Sequence, residues 1–202
     1  DLTGVVIGSV VPAATSSAVK MARRFCRLEP VVVGPGTRTG ISIATDDPRE
    51  VGADRVANAA AAYEQTGGPA IVVDFGTATT FDAVSRGGEY LGGAICPGVE
   101  VSAAALSSAA ARLLDVELAA PRGVIGRTTS ESLRSGIVLG TAAMVDGMTE
   151  KLNKELGGDA AVLATGGLAA LIIEHCSTAI IHEPNLTLNG LGLLYERNAE
   201  AR

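Results

Sequence analysis

Two acids in this chain stand beside residues that suit phosphoryl chemistry. The first is Asp74, in the run Ile71-Val72-Val73-Asp74-Phe75-Gly76-Thr77-Ala78-Thr79-Thr80-Phe81. A β-branched stretch ends in a carboxylate, a glycine permits a tight turn, and three hydroxyls follow. A β-turn-β element of this composition either holds a phosphate or a hydrated cation at its tip, or is an ordinary hairpin with an acid in the turn. Thr77 can donate to a phosphate oxygen. Ionised Asp74 only accepts, so it repels a phosphate and makes sense beside a cation or an ordered water. The second acid is Asp54, in Val51-Gly52-Ala53-Asp54-Arg55. An Asp at a helix start is favoured by capping and by the helix dipole. Arg55 works against that dipole. An arginine that orients an anionic group, beside an Asp that takes a proton, accounts for both residues. Such a pair would activate an alcohol for attack on a phosphoryl group.

Weaker signals accompany these two. Thr165-Gly166-Gly167 lies between an apolar run and a helical pattern, as in a nucleotide-binding turn. A plain strand-to-helix turn explains it equally well. Gly126-Arg127-Thr128-Thr129 precedes a long helical pattern and offers two hydroxyls where one cap is needed. Thr129 or Ser130 is the expected cap. Gly92-Gly93 and Pro97-Gly98 are read as close strand packing followed by a turn. His175 and His182 lack a metal-protease spacing, and Cys26, Cys96 and Cys176 form no CxxC pair, so neither a zinc site nor a disulfide framework is expected.

Alternating and continuous apolar runs give the elements that position these residues. Residues 4–10 predict a strand ended by Pro12, residues 14–24 a helix, and residues 31–33 a second strand, parallel to the first through a crossover. A polar loop over residues 37–50 is too long for a plain connector, which suggests a functional or interface role. An alanine-rich helix runs from about residue 51 to 65. Strands over 70–74, 79–85 and about 90–95 form an antiparallel meander. A helix over 101–113, a long helix over 130–156, a strand over 161–164, a helix over 168–175, a short strand over 179–181 and a helix over 188–197 complete the chain. The long helix is a candidate dimer face. From residue 70 onward this order is that of a ribonuclease H-like half. Residues 1–69 look like the remainder of a second half without its first meander. The expected division is therefore 1–69 and 70–202.

Composition narrows the class. The 202 residues are 47% hydrophobic and only 3% aromatic, so the core is built from Ala, Val, Leu and Ile. A net charge of −6 argues against a nucleic-acid surface. No apolar run reaches the roughly 18 residues of a membrane span and no signal peptide is visible. A cytoplasmic protein, with no nucleic-acid or membrane partner, is the expectation.

Taken together and in order, several stretches resemble type III pantothenate kinases. They are Gly34-Pro35-Gly36-Thr37-Arg38-Thr39-Gly40-Ile41, Glu50-Val51-Gly52-Ala53-Asp54-Arg55, Val73-Asp74-Phe75-Gly76-Thr77-Ala78-Thr79-Thr80, Gly92-Gly93-Ala94-Ile95 with Pro97-Gly98, Gly126-Arg127-Thr128-Thr129, Ala164-Thr165-Gly166-Gly167-Leu168 and Leu186-Thr187-Leu188-Asn189-Gly190-Leu191. The resemblance covers nearly the whole chain. It implies an α/β protein of the acetate and sugar kinase/Hsp70/actin-like fold, a duplicated ribonuclease H-like arrangement, working as a homodimer. It implies ATP-dependent phosphorylation of pantothenate, the first step of coenzyme A synthesis, with magnesium for ATP and a monovalent cation, potassium or ammonium. By the resemblance Asp54 is the base that accepts the alcohol proton. Gly52, Ala53, Asp54, Arg55 and Thr129 contact pantothenate, Asp74 binds the monovalent cation, Thr77 contacts ATP, and Gly166 and Gly167 lie near the adenosine.

Family members open with a strand and an Asp-x-Gly-Asn-Thr turn that grips the ATP phosphates. This chain begins at Asp1 without them. Taken literally, that start predicts failed ATP binding. Two rival readings are a non-catalytic regulatory relative of the same fold and a kinase of another small alcohol.

Overall fold

The computed structural model describes residues 2–109 and 117–199. Those residues form a mixed α/β protein in two compact units. The first unit comprises residues 1–70, 84–92 and 185–202, and the second residues 71–83 and 93–184.

In the first unit, β1 (Val6–Ile7) pairs in parallel with β2 (Val31–Val32), Val6 opposite Val31 and Ile7 opposite Val32. Helix α1 (Pro12–Met21) makes the crossover and continues into a π-helix, Ala22–Cys26. Pro12 opens this helix rather than merely ending the strand. A proline has no N–H to lose at the first helical turn, and its fixed φ suits the helix there. The polar loop over residues 37–50 contains β3 (Ser42–Ile43) and a 3₁₀ turn, Pro48–Glu50. β3 pairs in parallel with the start of a later strand, Ser42 opposite Glu89 and Ile43 opposite Tyr90.

Helix α2 (Ala53–Thr66) is buried over most of its length through Ala53, Val56, Ala57 and Ala59–Ala62. Alanine has the highest helix propensity and carries the least bulk, so this sequence makes a stable helix that neighbours can approach closely. The neighbour is the last helix of the unit, Leu186–Ala199. Leu194 is fully buried with Val33, Val56, Ala57 and Ala60 in the core of this unit. Asn58, buried in α2, accepts a 2.7 Å hydrogen bond from the Thr187 hydroxyl.

The second unit is built around the predicted meander. β4 (Ala70–Phe75), β5 (Ala78–Val84) and β6 (Glu89–Pro97) are consecutive strands joined by short turns, which makes them antiparallel. β7 (Ala161–Thr165) lies on the other side of β4, and β8 (Ile181–His182) pairs with it in parallel, so the order is β6-β5-β4-β7-β8. Buried β4 contributes Ile71, Val73 and Phe75 to a core shared with Phe81, Val138, Val145, Val162 and Ile172. Helix α3 (Val99–Ala109) follows the meander. The remainder of the predicted helix over 101–113 falls outside the described residues. Helix α4 (Thr129–Glu155) spans 27 residues, α5 (Ala169–Ile173) is one short turn more, and α6 is the closing helix Leu186–Ala199.

Asp146 ties α4 to the segment after α5. Its carboxylate accepts from the Ser177 N–H at 2.8 Å and the Thr178 N–H at 2.9 Å. Burial pushes this carboxyl upward, but the two amides outweigh it and hold it below the usual carboxylate range. No described helix is both long and apolar enough to cross a membrane.

The α2–α6 contact is close enough that the face of Gly190 lies on the backbone of Ala57, where a Cβ would overlap the carbonyl oxygen. Gly192, two residues further along and on another side of the same helix, has open space. Gly190→Ala is therefore expected to lower stability by about 1–3 kcal/mol. Gly192→Ala is expected to be neutral or stabilising by up to about 1 kcal/mol. Thermal unfolding of the two variants side by side checks the difference.

Candidate active site

Each unit carries its own group of the residues singled out by sequence. In the first unit a cavity of about 570 Å³ opens at the carboxyl ends of β1 and β2. Ligands of parallel α/β sheets bind at this end of the strands. Its wall includes Ser9 and Val10 after β1, Gly34–Thr37 and Thr39 after β2, and Pro48 to Ala53 before and into α2. The polar loop read from the sequence as functional thus supplies Thr37, Thr39, Arg49 and Glu50 to the cavity.

Gly52 caps the N-terminus of α2, with its carbonyl accepting from Val56 N–H at 3.0 Å. Gly52 and Ala53 line the cavity. Asp54 is exposed in the first turn, and its Oδ1 accepts the Arg55 N–H at 2.9 Å. The same oxygen lies over the face of Gly52 where a side chain would stand. Asp54 and Arg55 are outside the lining of the cavity. The Arg55 guanidinium stands 5.8 Å from the centre of the buried Tyr90 ring, a cation–π contact. That stacking is a second reason for an arginine at a helix start, and nothing local in the sequence announces it.

At the cavity rim, Arg49 grips Asp47 with two side-chain bonds of 2.8 Å, and Asp47 also caps the 3₁₀ turn by accepting the Arg49 N–H at 3.0 Å. The Arg49 guanidinium holds the Asp47 carboxyl below the usual carboxylate range.

In the second unit, β4 and β7 are neighbours, so the turns at their carboxyl ends meet. Gly166 has φ +95°, and its α-carbon lies against the Phe75 backbone and the Asp74 carboxylate; a Cβ there would stand 2.6 Å from Phe75 N and 2.7 Å from Asp74 Oδ1. Only a glycine fits. Asp74 is half-buried at the end of β4, and Thr77 is exposed at the tip of the turn. The Thr77 carbonyl accepts the Gly98 N–H at 3.2 Å, which fastens the tip to the turn after β6. Thr79, which follows, is fully buried, and among the described residues its hydroxyl has no hydrogen-bond partner. The Thr80 hydroxyl donates to buried Asp82 at 3.2 Å. Gly167 is exposed beside Gly166. The structure thus brings Asp74, Thr77, Gly166 and Gly167 to one end of one sheet.

The start of α4 corrects the sequence expectation. The cap is Thr128, not Thr129 or Ser130: its hydroxyl accepts the Glu131 N–H at 3.2 Å. Glu131 reaches back to the Arg127 N–H at 2.8 Å. Thr128-x-x-Glu131 is the capping-box spacing, a signal present in the sequence. Thr129 is left exposed in the first turn.

Comparison with known proteins gives the class and then the family. A solved structure from Campylobacter jejuni, of a conserved protein assigned to the Baf family of transcriptional activators, shares the fold: the TM-score is 0.66 at 20% identity, over 99% of this chain and 85% of that one. The family model for type III pantothenate kinase matches residues 1–151. The type III pantothenate kinase of Parafrankia sp. (strain EAN1pec) is 52% identical over 200 residues, which are 98% of this chain and 79% of that protein. That of Streptomyces coelicolor is 51% identical over 201 residues, 98% of this chain and 76% of that protein. The chain belongs to the type III pantothenate kinase family. The expectation of an inactive chain finds no support in these matches.

The capping geometry separates two adjacent hydroxyls. Thr128→Ala should cost about 1 kcal/mol of stability through loss of the cap. Thr129→Ala should stay within about 0.5 kcal/mol of the parent. Chemical denaturation of both variants checks this.

Proposed function

We propose that this protein transfers the terminal phosphoryl group of ATP to the primary alcohol of pantothenate. The observation that carries the reading is the family membership, through a match across residues 1–151 and near 50% identity over 98% of the chain. In this reading the fold is of the acetate and sugar kinase/Hsp70/actin-like kind, with two ribonuclease H-like halves. The cavity beside Gly52 and Ala53 takes pantothenate, with Arg55 as a further contact. Asp54 accepts the alcohol proton as the oxygen attacks the γ-phosphorus. The P–O bond to the leaving group then breaks, and ADP departs with the electron pair. Phosphoryl transfer of this kind is mostly positioning and charge neutralisation.

Asp74, Thr77, Gly166 and Gly167 form the ATP side. Thr77 donates to phosphate oxygens, and the two glycines allow the adenosine close to the backbone. The donors at this turn are a carboxylate, hydroxyls and carbonyls, all oxygen, and oxygen donors suit hard cations. In this reading, as the family resemblance implies, the cation at Asp74 is monovalent, potassium or ammonium. Among the described residues no three His, Cys, Asp or Glu side chains gather as a metal site. Magnesium, which retains water and is commonly held through substrate phosphates, would then arrive with ATP. When bound it neutralises charge on the transferring group. A cytoplasmic homodimer with α4 at its interface belongs to the same reading, supported by the length of that helix.

Asp54 is exposed and its substitution by Asn keeps its shape. Asp54→Asn is expected to reduce ADP formation with pantothenate, ATP, magnesium and potassium by at least about 100-fold, as loss of a general base does. The fold should stay intact, with a melting temperature lowered by no more than a few degrees for the lost first-turn charge. Turnover near the parent rate would remove Asp54 from the mechanism. Activity indifferent to potassium would remove the cation from Asp74.

A further inference from the structure

Residues 34–41 line the cavity of the first unit through Thr37 and Thr39, yet belong to no strand or helix. Such a segment forms a defined wall only where other groups hold it. Its front braces itself: the Gly34 N–H donates to Thr37 Oγ1 at 3.0 Å, and the Thr37 N–H donates to the Gly34 carbonyl at 3.0 Å. Its back is held by the last turn of α6. The Arg38 N–H donates to Asn198 Oδ1 at 2.9 Å, and Asn198 Nδ2 donates to the Arg38 carbonyl at 2.9 Å. The same Nδ2 donates to the Leu194 carbonyl at 2.7 Å within α6. Arg197 Nη1 donates to the Thr39 carbonyl, and its Nη2 pairs with Glu64 of α2 at 2.7 Å. The guanidinium also fills the space at Gly40 that a Cβ would need.

These contacts are chemically specific. One asparagine amide satisfies both backbone groups of Arg38, as a neighbouring strand would, across 160 residues of sequence. The amide can point only one way, because the reverse would set its NH₂ against an N–H and its oxygen against two carbonyls. Arg197 stands near the C-terminus of α6, where the dipole favours a cation, and its charge is met by Glu64. A tie that served only to fasten the helix end would have no reason to land on Arg38 and Thr39. These two residues lie directly beside, and within, the cavity wall.

We propose that Arg197 and Asn198 are positioning residues for substrate: they fix the wall made by Thr37 and Thr39 so that the cavity is formed before pantothenate enters. This rests on the reading that the cavity takes pantothenate. Neither side chain touches reacting atoms, so the effect falls on KM for pantothenate and not on kcat.

The test is steady-state kinetics of the intact protein with hydrogen exchange of the 34–41 amides. Asn198→Ala removes both bonds to the Arg38 backbone, so KM for pantothenate should rise about three- to tenfold. Values of kcat and KM for ATP should stay near the parent, and the Arg38 amide should exchange faster. Arg197→Lys keeps a cation near Glu64 but loses the forked guanidinium that also reaches the Thr39 carbonyl, so its KM should rise as well, though by less; it carries the comparison if Asn198→Ala does not fold. An Arg38 amide that exchanges faster with KM unchanged overturns the proposal, as does a fall in kcat at constant KM. In the parent protein pantothenate should slow exchange across residues 34–41. If the parent turns over pantothenate while these amides do not respond, the assignment of the cavity is wrong, and the positioning role falls with it rather than through any variant.

Discussion

The close approach of α2 and α6 is the constraint on which the first unit depends. The Ala57 carbonyl lies on the face of Gly190, and an alanine-rich helix meets a glycine with no side chain between them. That contact sets how closely the two helices cross, and α2 begins at Gly52 and Ala53 in the cavity wall. The last turn of α6 carries the residues that grip Arg38 and Thr39. Small residues are therefore placed where the backbone must come close, and the bulky aliphatic core of Val33, Val56 and Leu194 fills in around them. An added methyl group at this crossing would be felt at both ends of the site.

The second unit uses the same device on strands. Gly166 lets the turn after β7 lie on the end of β4, so the Asp74 carboxylate lies against the backbone of that turn. The buried strand behind it, Ile71 to Val73, is anchored in the unit's core. A carboxylate at the end of such a strand is held in place without being sealed from solvent. Catalysis by phosphoryl transfer asks for this kind of rigidity, because its groups act by position and charge.

Much of this was legible in the sequence, for physical reasons that differ by element. The meander is readable because β-branched runs alternate with glycine turns, and α2 because an alanine-rich stretch is closed by Gly67-Gly68-Pro69. Two-residue strands carry no period, so β3 was hidden inside a polar loop whose role was suspected from its length alone. Pro12 was read as a strand end because proline stops strands and opens helices with equal ease. The choice between Thr128 and Thr129 is decided by Glu131, three residues after Thr128, a spacing that the sequence itself carries. Stacking of Arg55 on Tyr90 and the hold of Asn198 on Arg38 join residues far apart in the chain, and no local pattern encodes them.

Family membership supplies the reaction, and the cavity at the ends of β1 and β2 is the place proposed for the acceptor. A crystal structure with pantothenate bound tests that pairing most directly. The account predicts density for pantothenate against Gly52 and Ala53, with its alcohol within hydrogen-bonding reach of the Asp54 carboxylate. Density for pantothenate away from Gly52 and Ala53, with its alcohol turned from Asp54, would contradict it.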